Sequence, residues 1–286
     1  MTSIQKVIKY LAIAFAIFLI VTIVLSVVGA LFIFSGVLNL TEDVTKNVTT
    51  EMTVMDIINE EYVVQDVDSE NISNLDIELF YTDLVIKIGD KFKVEGNTKN
   101  IKCERSGKIL KIKEQKNGWF SKNNLTSLIV YIPEDFKFEK ADIVAGAGKI
   151  HILDFNSKNL DLELGAGETV IEKIYISNEC KIEGGAGEIT ILSGSINNLD
   201  LDLGIGATNI SAEITGKNEI NAGVGNVNIS LDGVKENYKI KVDKGLGSIK
   251  INGLEAENGK LYGDGNNFID IDGGIGNIEV TYSESI

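Results

Sequence analysis

The chain has 286 residues, and its 42 acidic side chains outnumber the 27 basic ones, giving a formal net charge of −15. Because Lys and Arg are scattered rather than clustered, the sequence offers no basic surface for a polyanion, which argues against nucleic-acid binding. Glycine occurs 29 times and proline once, so the glycines do not mark a Pro/Gly-rich linker and a structural repeat is expected.

The first element is a long apolar segment. Residues 10–34 carry no charge and would extend roughly 37 Å as a helix, more than the ~30 Å hydrocarbon core of a bilayer. We predict a transmembrane helix over residues 10–35, and a cleaved signal peptide is the alternative, although its apolar region is usually only about 7 to 15 residues long. Lys6 and Lys9 precede the helix, so residues 1–9 are expected in the cytoplasm. The predicted protein is therefore a single-pass cell-membrane protein whose C-terminal domain is extracytoplasmic.

Two regions separate this helix from the repeat. Residues 36–70 are polar and acidic, and we interpret them as a stalk, in which residues 56–64 fit either an opening strand or a short helix. Residues 71–142 alternate as strands do but carry no Gly-x-Gly motif. We predict that they form degenerate first coils or a cap that ends the sheet. Three aromatic residues are suited to such a cap, namely Tyr81, Phe92 and Phe136.

The only tryptophan lies in this region. Trp119 stands beside Phe120 in a polar turn that Lys116 and Lys122 flank. An exposed tip of this kind is a candidate contact with a partner or with lipid. The alternative is that the two rings cover the end of the core.

Between residues 143 and 283 the chain repeats one glycine motif seven times, before a short tail at residues 284–286. In each copy two glycines flank one small or aliphatic residue. The fourteen glycines are Gly146, Gly148, Gly165, Gly167, Gly185, Gly187, Gly204, Gly206, Gly223, Gly225, Gly245, Gly247, Gly274 and Gly276. The first five copies are 19 or 20 residues apart, and the last two intervals lengthen to 22 and 29. We interpret the longer intervals as loops inserted into the late coils.

Apolar residues recur at fixed positions around the motif. The third residue before the first glycine and the sixth residue after it are Ile, Leu or Val in every copy. Both flanks alternate with period two, which is typical of strands that are buried on one face. The apolar positions before and after the motif are an odd number of residues apart, so in a straight strand they would lie on opposite faces. We therefore predict that the glycines form a corner, which keeps both sets facing inward.

A unit of this length cannot bury its own apolar face, but stacked units form parallel sheets about 4.8 Å apart. We therefore predict an all-β fold: a β-solenoid, a single-stranded, β-helix-like stack of coils of 19 or 20 residues, preceded by the transmembrane helix. A sandwich or barrel of hairpins is the alternative. It requires turn signals about every 8 to 12 residues and does not explain identical columns over seven copies.

The strand rhythm, seen as Leu-Asp-Leu-Glu-Leu-Gly-Ala-Gly at residues 160–167, resembles the bacterial putative-adhesin β-strand-repeat family. Its members often join one N-terminal membrane helix to glycine-punctuated strands, and the resemblance covers about residues 71–283. It implies an envelope or surface protein, associated in some members with envelope-stress systems. It implies no defined activity and supplies no active-site residues.

Few residues suit catalysis. His151 is the only histidine, and its place between Ile150 and Ile152 predicts an ordinary outward-facing strand residue. Cys103 and Cys180 lie too far apart in sequence for a Cys-x-x-Cys or zinc motif. Cys180 falls in an aliphatic column and is expected to be buried, while a disulfide between the two cysteines outside the cell stays open.

An outward column of acidic residues lies two positions before the first glycine. Its candidate Ca²⁺ ligands are Glu163, Glu183, Asp202, Asp243 and Asp272. Stacked carboxylates repel one another, and Ca²⁺ would relieve that repulsion. The alternative is a solvated acidic face that Lys181 and Lys241 partly neutralise, and we favour it because a flat ladder offers few of the roughly 6 to 8 oxygens that Ca²⁺ requires.

These observations lead to three hypotheses about function. The first is a non-enzymatic envelope protein, an adhesin-like binding or scaffold module for another envelope protein or a wall polymer. The second is an accessory or sensory subunit of an envelope-stress membrane complex, because the helix is single and the cytoplasmic tail is short. The third is a polysaccharide-acting enzyme, since some parallel β-helices use acidic clusters in a groove for that chemistry. The sequence predicts no catalytic residue and, apart from Ca²⁺, no cofactor.

Overall fold

The computed structural model describes residues 62–66, 72–97, 101–115 and 127–283. All of them belong to the second of two compact units, Glu60–Ile286. Within the described part the secondary structure is β, apart from one short 3₁₀ turn, which confirms the all-β prediction. Among these residues there is no helix long and apolar enough to cross a membrane. The predicted transmembrane helix and the Trp119–Phe120 pair lie outside the described residues.

Twenty strands make up the described part. Before and at the start of the repeat lie β1 (Tyr62–Asp66), β2 (Asn74–Leu79), β3 (Asp83–Gly89), β4 (Lys93–Asn97), β5 (Ile101–Ser106), β6 (Ile109–Glu114), β7 (Ser127–Pro133) and β8 (Phe138–Ile152). The central coils contain β9 (Phe155–Ile171), β10 (Ile174–Ile191), β11 (Gly194–Asn197), β12 (Leu199–Thr215), β13 (Lys217–Asn221) and β14 (Val224–Asp232). The last coils contain β15 (Tyr238–Asp243), β16 (Leu246–Ile251), β17 (Leu254–Glu255), β18 (Lys260–Tyr262), β19 (Asn267–Asp272) and β20 (Ile275–Ser283).

A central coil has three strand segments. In β10 they are residues 174–176, then residues 180–184 before the glycine corner, and residues 186–191 after it. We call the second and third of these the pre-corner side and the post-corner side. Every segment pairs in parallel with the coils above and below it, as the stacked-coil prediction requires.

The core consists of aliphatic columns that run up the stack. Ile182 pairs with Leu162 on one side and Leu201 on the other, and all three are fully buried. Ile189, seven residues after Ile182, is also buried. An odd separation places two residues on opposite faces of a straight strand, so the chain must change direction between them, at the glycines. Each such side chain stabilises the fold by roughly 1.5–3 kcal/mol.

The order of the coils in space differs from their order in the chain. β20 pairs with β14 on one side and with β16 on the other, so the seventh glycine copy lies between the fifth and the sixth. The same exchange occurs near the N-terminus, where β2 lies between β6 and β8. The two long sequence intervals are therefore more than inserted loops. After the fifth copy the chain forms the sixth copy at the end of the stack, and it then returns to form the seventh copy between the fifth and the sixth.

Both ends of the stack carry antiparallel strands. β4 pairs with β7, and β1, which falls in the range predicted as stalk, pairs with β4. At the opposite end β16 and β17 form a hairpin whose two turn residues, Asn252 and Gly253, both have positive φ, as a type I′ turn requires. These strands cover the sheet edges that a bare stack would expose.

Aromatic rings fill the core at the N-terminal end. Phe92 contacts Phe136 and Phe138, and Phe138 stacks on Phe155 with 5.6 Å between ring centroids. Phe92 is buried and packs against Phe136, which is consistent with the capping role that stays a prediction for both. The same prediction for Tyr81 is wrong, since 67% of that side chain is exposed. Tyr81 lies in the bend between β2 and β3, where the ring points away from the core.

Candidate binding surfaces

The glycine corners bring neighbouring backbones unusually close together. A Cβ atom built on Gly206 would lie 1.7 Å from the carbonyl oxygen of Gly187, one rung away. The second glycine of most copies also has positive φ, +151° at Gly206 and +152° at Gly187, a conformation that other residues rarely adopt. The glycines are thus structural, and the residue between them points outward at the corner.

The residues between the glycines form one column along the stack. In spatial order the column reads Ala147, Ala166, Ala186, Ile205, Val224, Ile275 and Leu246. The last four are exposed, by between 44% for Val224 and 75% for Leu246. We call these four residues the aliphatic ridge. The sequence showed the residue types, but only the stacking shows that they are consecutive and face solvent.

The outward side chains of the pre-corner side form an acidic face. It contains twelve carboxylates and four lysines along the stack. Its carboxylates are Asp76, Glu78, Asp142, Asp161, Glu163, Glu183, Asp200, Asp202, Glu219, Asp270, Asp272 and Asp243. Its lysines are Lys111, Lys113, Lys181 and Lys241. More than half of the net charge of the chain is concentrated on this face.

The five predicted Ca²⁺ candidates lie in one column of this face but not at one point. Glu163, Glu183 and Asp202 occupy successive rungs, Asn221 follows, and then come Asp272 and Asp243. The structure brings Asp272 and Asp243 together with Asp270, with one carboxylate oxygen of each within 4.8 Å of the others. Sequence reasoning missed Asp270, although its place in the same column as Lys241 could have indicated it.

A lysine lies within this cluster. The ammonium of Lys241 donates to Asp243 Oδ2 at 2.6 Å and to Asp270 Oδ1 at 3.1 Å. These hydrogen bonds, with Asp243 contributing most, raise the pKa of Lys241 above its ordinary value. A fixed cation thus already pairs with two of the three carboxylates and offsets one unit of their negative charge. This supports the solvated-face interpretation, while Ca²⁺ binding stays a prediction.

Replacing Lys241 by methionine tests that prediction. Lys241→Met removes the resident cation and leaves three carboxylates facing one another, so we expect Ca²⁺ to bind at least about tenfold more tightly than to the wild type, measured by calorimetry. Lys149→Met, on the post-corner side, is the control and should not change the affinity. Equal affinity of Lys241→Met and wild type would show that this cluster is not a Ca²⁺ site.

Like-charge crowding also affects Asp200. Partial burial first, and then the neighbouring carboxylates of Asp202 and Glu219, raise the pKa of Asp200 above its ordinary value of 3.8. When the pKa of a carboxyl is higher in the folded than in the unfolded state, folding is favoured at pH values where the carboxyl is protonated. This contribution to stability is lost as the pH rises through the folded-state pKa. At neutral pH the Asp200 carboxylate therefore destabilises the folded state.

Asp200→Asn should consequently raise the melting temperature at pH 7 and give no gain at pH 3, below the ordinary pKa. Thermal denaturation followed by circular dichroism measures both values. Asp270→Asn is the matched control, because its carboxylate accepts from Lys241 and its loss should lower the melting temperature at pH 7. A gain for Asp200→Asn that is equal at both pH values would contradict the electrostatic cause.

The post-corner side has a different character in the later coils. Over β12, β14, β20 and β16 its outward residues are Ala207, Asn209, Asn226, Asn228, Asn277, Glu279, Ser248 and Lys250. We call them the amide face. Asn228 Nδ2 donates to Asn209 Oδ1 at 2.9 Å, and Ser248 Oγ donates to Asn277 Oδ1 at 2.7 Å. The amide face contains one acid, Glu279, and one base, Lys250, which lie on neighbouring rungs. Part of the face borders a depression of about 420 Å³.

The remaining reactive residues are separated from one another. His151 lies outward between buried isoleucines, as predicted, and its Nε2 is 2.8 Å from Glu172 Oε1. Both cysteines are free, with Cys180 buried and Cys103 half-buried. Burial raises the pKa of the Cys103 thiol to about 11 and that of Cys180 further. Neither thiol is therefore activated as a nucleophile.

Stacked parallel coils with glycine corners and patterned outer faces define a β-solenoid-like repeat protein. Residues 46–269 match the Toastrack DUF4097 family, and because this match spans most of the chain, the chain belongs to that family. No curated protein matches the sequence.

Several solved bacterial structures are similar to the chain. A "putative cell adhesion protein" from Clostridium sporogenes ATCC 15579 is 19% identical, with a TM-score of 0.40, and the match covers 79% of this chain and 100% of that one. A "putative adhesin" from Bacteroides fragilis NCTC 9343 is 12% identical, with a TM-score of 0.35 and coverages of 78% and 98%. A "putative lipid binding protein" from Parabacteroides distasonis ATCC 8503 is 13% identical, with a TM-score of 0.38 and coverages of 79% and 98%.

Proposed function

We propose that this chain is a non-enzymatic binding module of the bacterial cell envelope, anchored by one transmembrane helix over residues 10–35 and displayed outside the membrane. The observation that carries the proposal is the acidic face, a rigid surface on which identical positions repeat at every rung, about 4.8 Å apart. A surface of this kind suits the recognition of an extended partner, either a protein or a wall polymer. The anchor is supported by the sequence alone.

The arrangement of reactive groups also favours binding over catalysis. A hydrolytic site needs an acid and a base that converge on one bond in a cleft. Glu183 and Asp202 instead stand on neighbouring rungs of an open face, and Asp243 lies three rungs beyond Asp202. Side chains that are spread along a face in this way contact a long ligand at many points, each weakly.

Affinity capture from native membranes tests the proposal. The tagged full-length chain should recover an envelope protein or wall polymer, and the triple variant Glu163→Gln, Glu183→Gln, Asp202→Asn should lose it. The control Glu168→Gln, Glu188→Gln changes acids on the post-corner side and should retain it. Recovery of no envelope component, or equal recovery by both variants, would contradict the proposal.

Capture of a membrane subunit through photo-crosslinkers at Thr22 or Ser26 would instead favour the complex-subunit hypothesis.

A further inference from the structure

We propose that two copies of this chain associate side by side along the aliphatic ridge, in parallel, with a twofold axis that runs along the stack. In this arrangement each ridge residue meets the same residue of the second copy. The orientation rests in part on the membrane anchor of the proposed function, whereas the contact surface does not.

A single copy leaves much of the ridge exposed to solvent. Ile205, Val224, Ile275 and Leu246 follow one another on four adjacent rungs and remain 44–75% exposed. The same column carries alanine on the three preceding rungs, so the corner geometry does not require a large side chain. Four adjacent aliphatic side chains in water form a continuous apolar strip, which marks an interaction site more often than a scattered apolar residue does.

Charge indicates why a second copy fits this strip. The chain carries a net charge of −15, so two copies repel each other wherever their acidic faces approach. The ridge lies between the acidic face and the nearly neutral amide face. On the acidic side it is bordered by Asp202, Asp272 and Asp243, and on the other side by Ala207 and then by amide and hydroxyl groups. A copy that places its amide face against this acidic border avoids the repulsion.

Only one of the two symmetric arrangements achieves that pairing. If the twofold axis is perpendicular to the stack, the ridges are antiparallel and each acidic border meets the other acidic border. If the axis runs along the stack, each acidic border meets the amide border of the other copy. The amide nitrogen of Asn277 donates one hydrogen to Asn226 and has a second hydrogen with which to donate to a carboxylate. Such a contact is isologous, and it closes as a dimer.

The membrane anchor favours the same orientation. The chain reaches the described domain at β1, which pairs with β4 at the outermost N-terminal coil, whereas the ridge lies in the half of the stack farther from it. In a parallel dimer both β1 strands lie at the same end, so both N-terminal segments can insert into one bilayer. In an antiparallel dimer they would lead away from each other.

Disulfide cross-linking in membranes distinguishes these arrangements. In a full-length Cys103→Ser background, Ile205→Cys alone should form a covalent homodimer, because residue 205 meets residue 205 across the axis. In the antiparallel arrangement residue 205 would meet residue 246, so a cross-link would need co-expressed Ile205→Cys and Leu246→Cys chains. Tyr175→Cys, an exposed position away from the corner, should remain monomeric.

Alanine substitution supplies a matched variant. Adding Val224→Ala, Ile275→Ala and Leu246→Ala to Ile205→Cys should abolish most of the cross-linked dimer while leaving the melting temperature unchanged, since the column already accepts alanine on three rungs. No homodimer from Ile205→Cys, a different protein cross-linked there, or an undiminished dimer in the alanine variant would overturn the inference. If no dimer forms but affinity capture recovers an envelope partner, the dimer is wrong and the proposed function stands. If the dimer forms but affinity capture recovers nothing, the proposed function is wrong and the dimer stands.

Discussion

Gly206→Ala should lower the free energy of unfolding by at least about 3 kcal/mol. The new Cβ would lie 1.7 Å from the carbonyl oxygen of Gly187, and the backbone would have to hold φ at +151°. Relief requires the two rungs to move apart, which breaks the parallel hydrogen bonds between β10 and β12. Chemical denaturation of the full-length chain in detergent, followed by far-ultraviolet circular dichroism, measures the loss.

Gly253→Ala separates the two causes. Gly253 also has positive φ, +74°, but a Cβ built there meets no atom within 4 Å. Backbone strain alone should therefore reduce stability by about 1 kcal/mol. If Gly206→Ala costs no more than Gly253→Ala, close approach between the rungs is not what requires glycine at the corner.

The features that recur in every copy were predictable from sequence. Burial of Ile182 and Ile189 requires only their spacing, because a strand alternates and the parity must change at the glycines. The same argument placed Cys180 in the core and His151 outside. These predictions succeeded because each depends on a local pattern that all coils repeat.

The stacking order was not predictable in this way. Val242 and Ile271 occupy the same core position in the sixth and seventh copies, and so do Ile249 and Ile278. Exchanging two coils whose core residues are equivalent leaves every apolar column intact, so the pattern does not distinguish the two orders. The candidate surfaces were partly hidden for the same reason. The acidic column was visible in sequence, whereas the adjacency of Ile275 to Val224 depends on the exchange.

Removing residues 264–286 should expose this exchange directly. The truncated chain loses β19 and β20, which lie between the fifth copy and the sixth in space. β15 and β16 then have no parallel neighbour, and their backbone amides should exchange with deuterium about a hundredfold faster, equivalent to roughly 2.8 kcal/mol of lost protection. Hydrogen exchange with mass spectrometry of residues 238–251 measures this change. In a stack that followed chain order, the deletion would remove an end coil and leave residues 238–251 protected.

Cysteine pairs test the same order in the intact fold. Asn226 and Asn277 face each other on neighbouring rungs, as do Asn277 and Ser248, whereas Asn226 and Ser248 are two rungs, about 9.6 Å, apart. In a Cys103→Ser background, Asn226→Cys with Asn277→Cys should form a disulfide. Asn226→Cys with Ser248→Cys should not, because their Cα atoms exceed the roughly 7 Å limit. The reverse result would show that the coils are stacked in the order of the chain. Ile275 would then not be adjacent to Val224, and the residues of the ridge would follow one another in a different order.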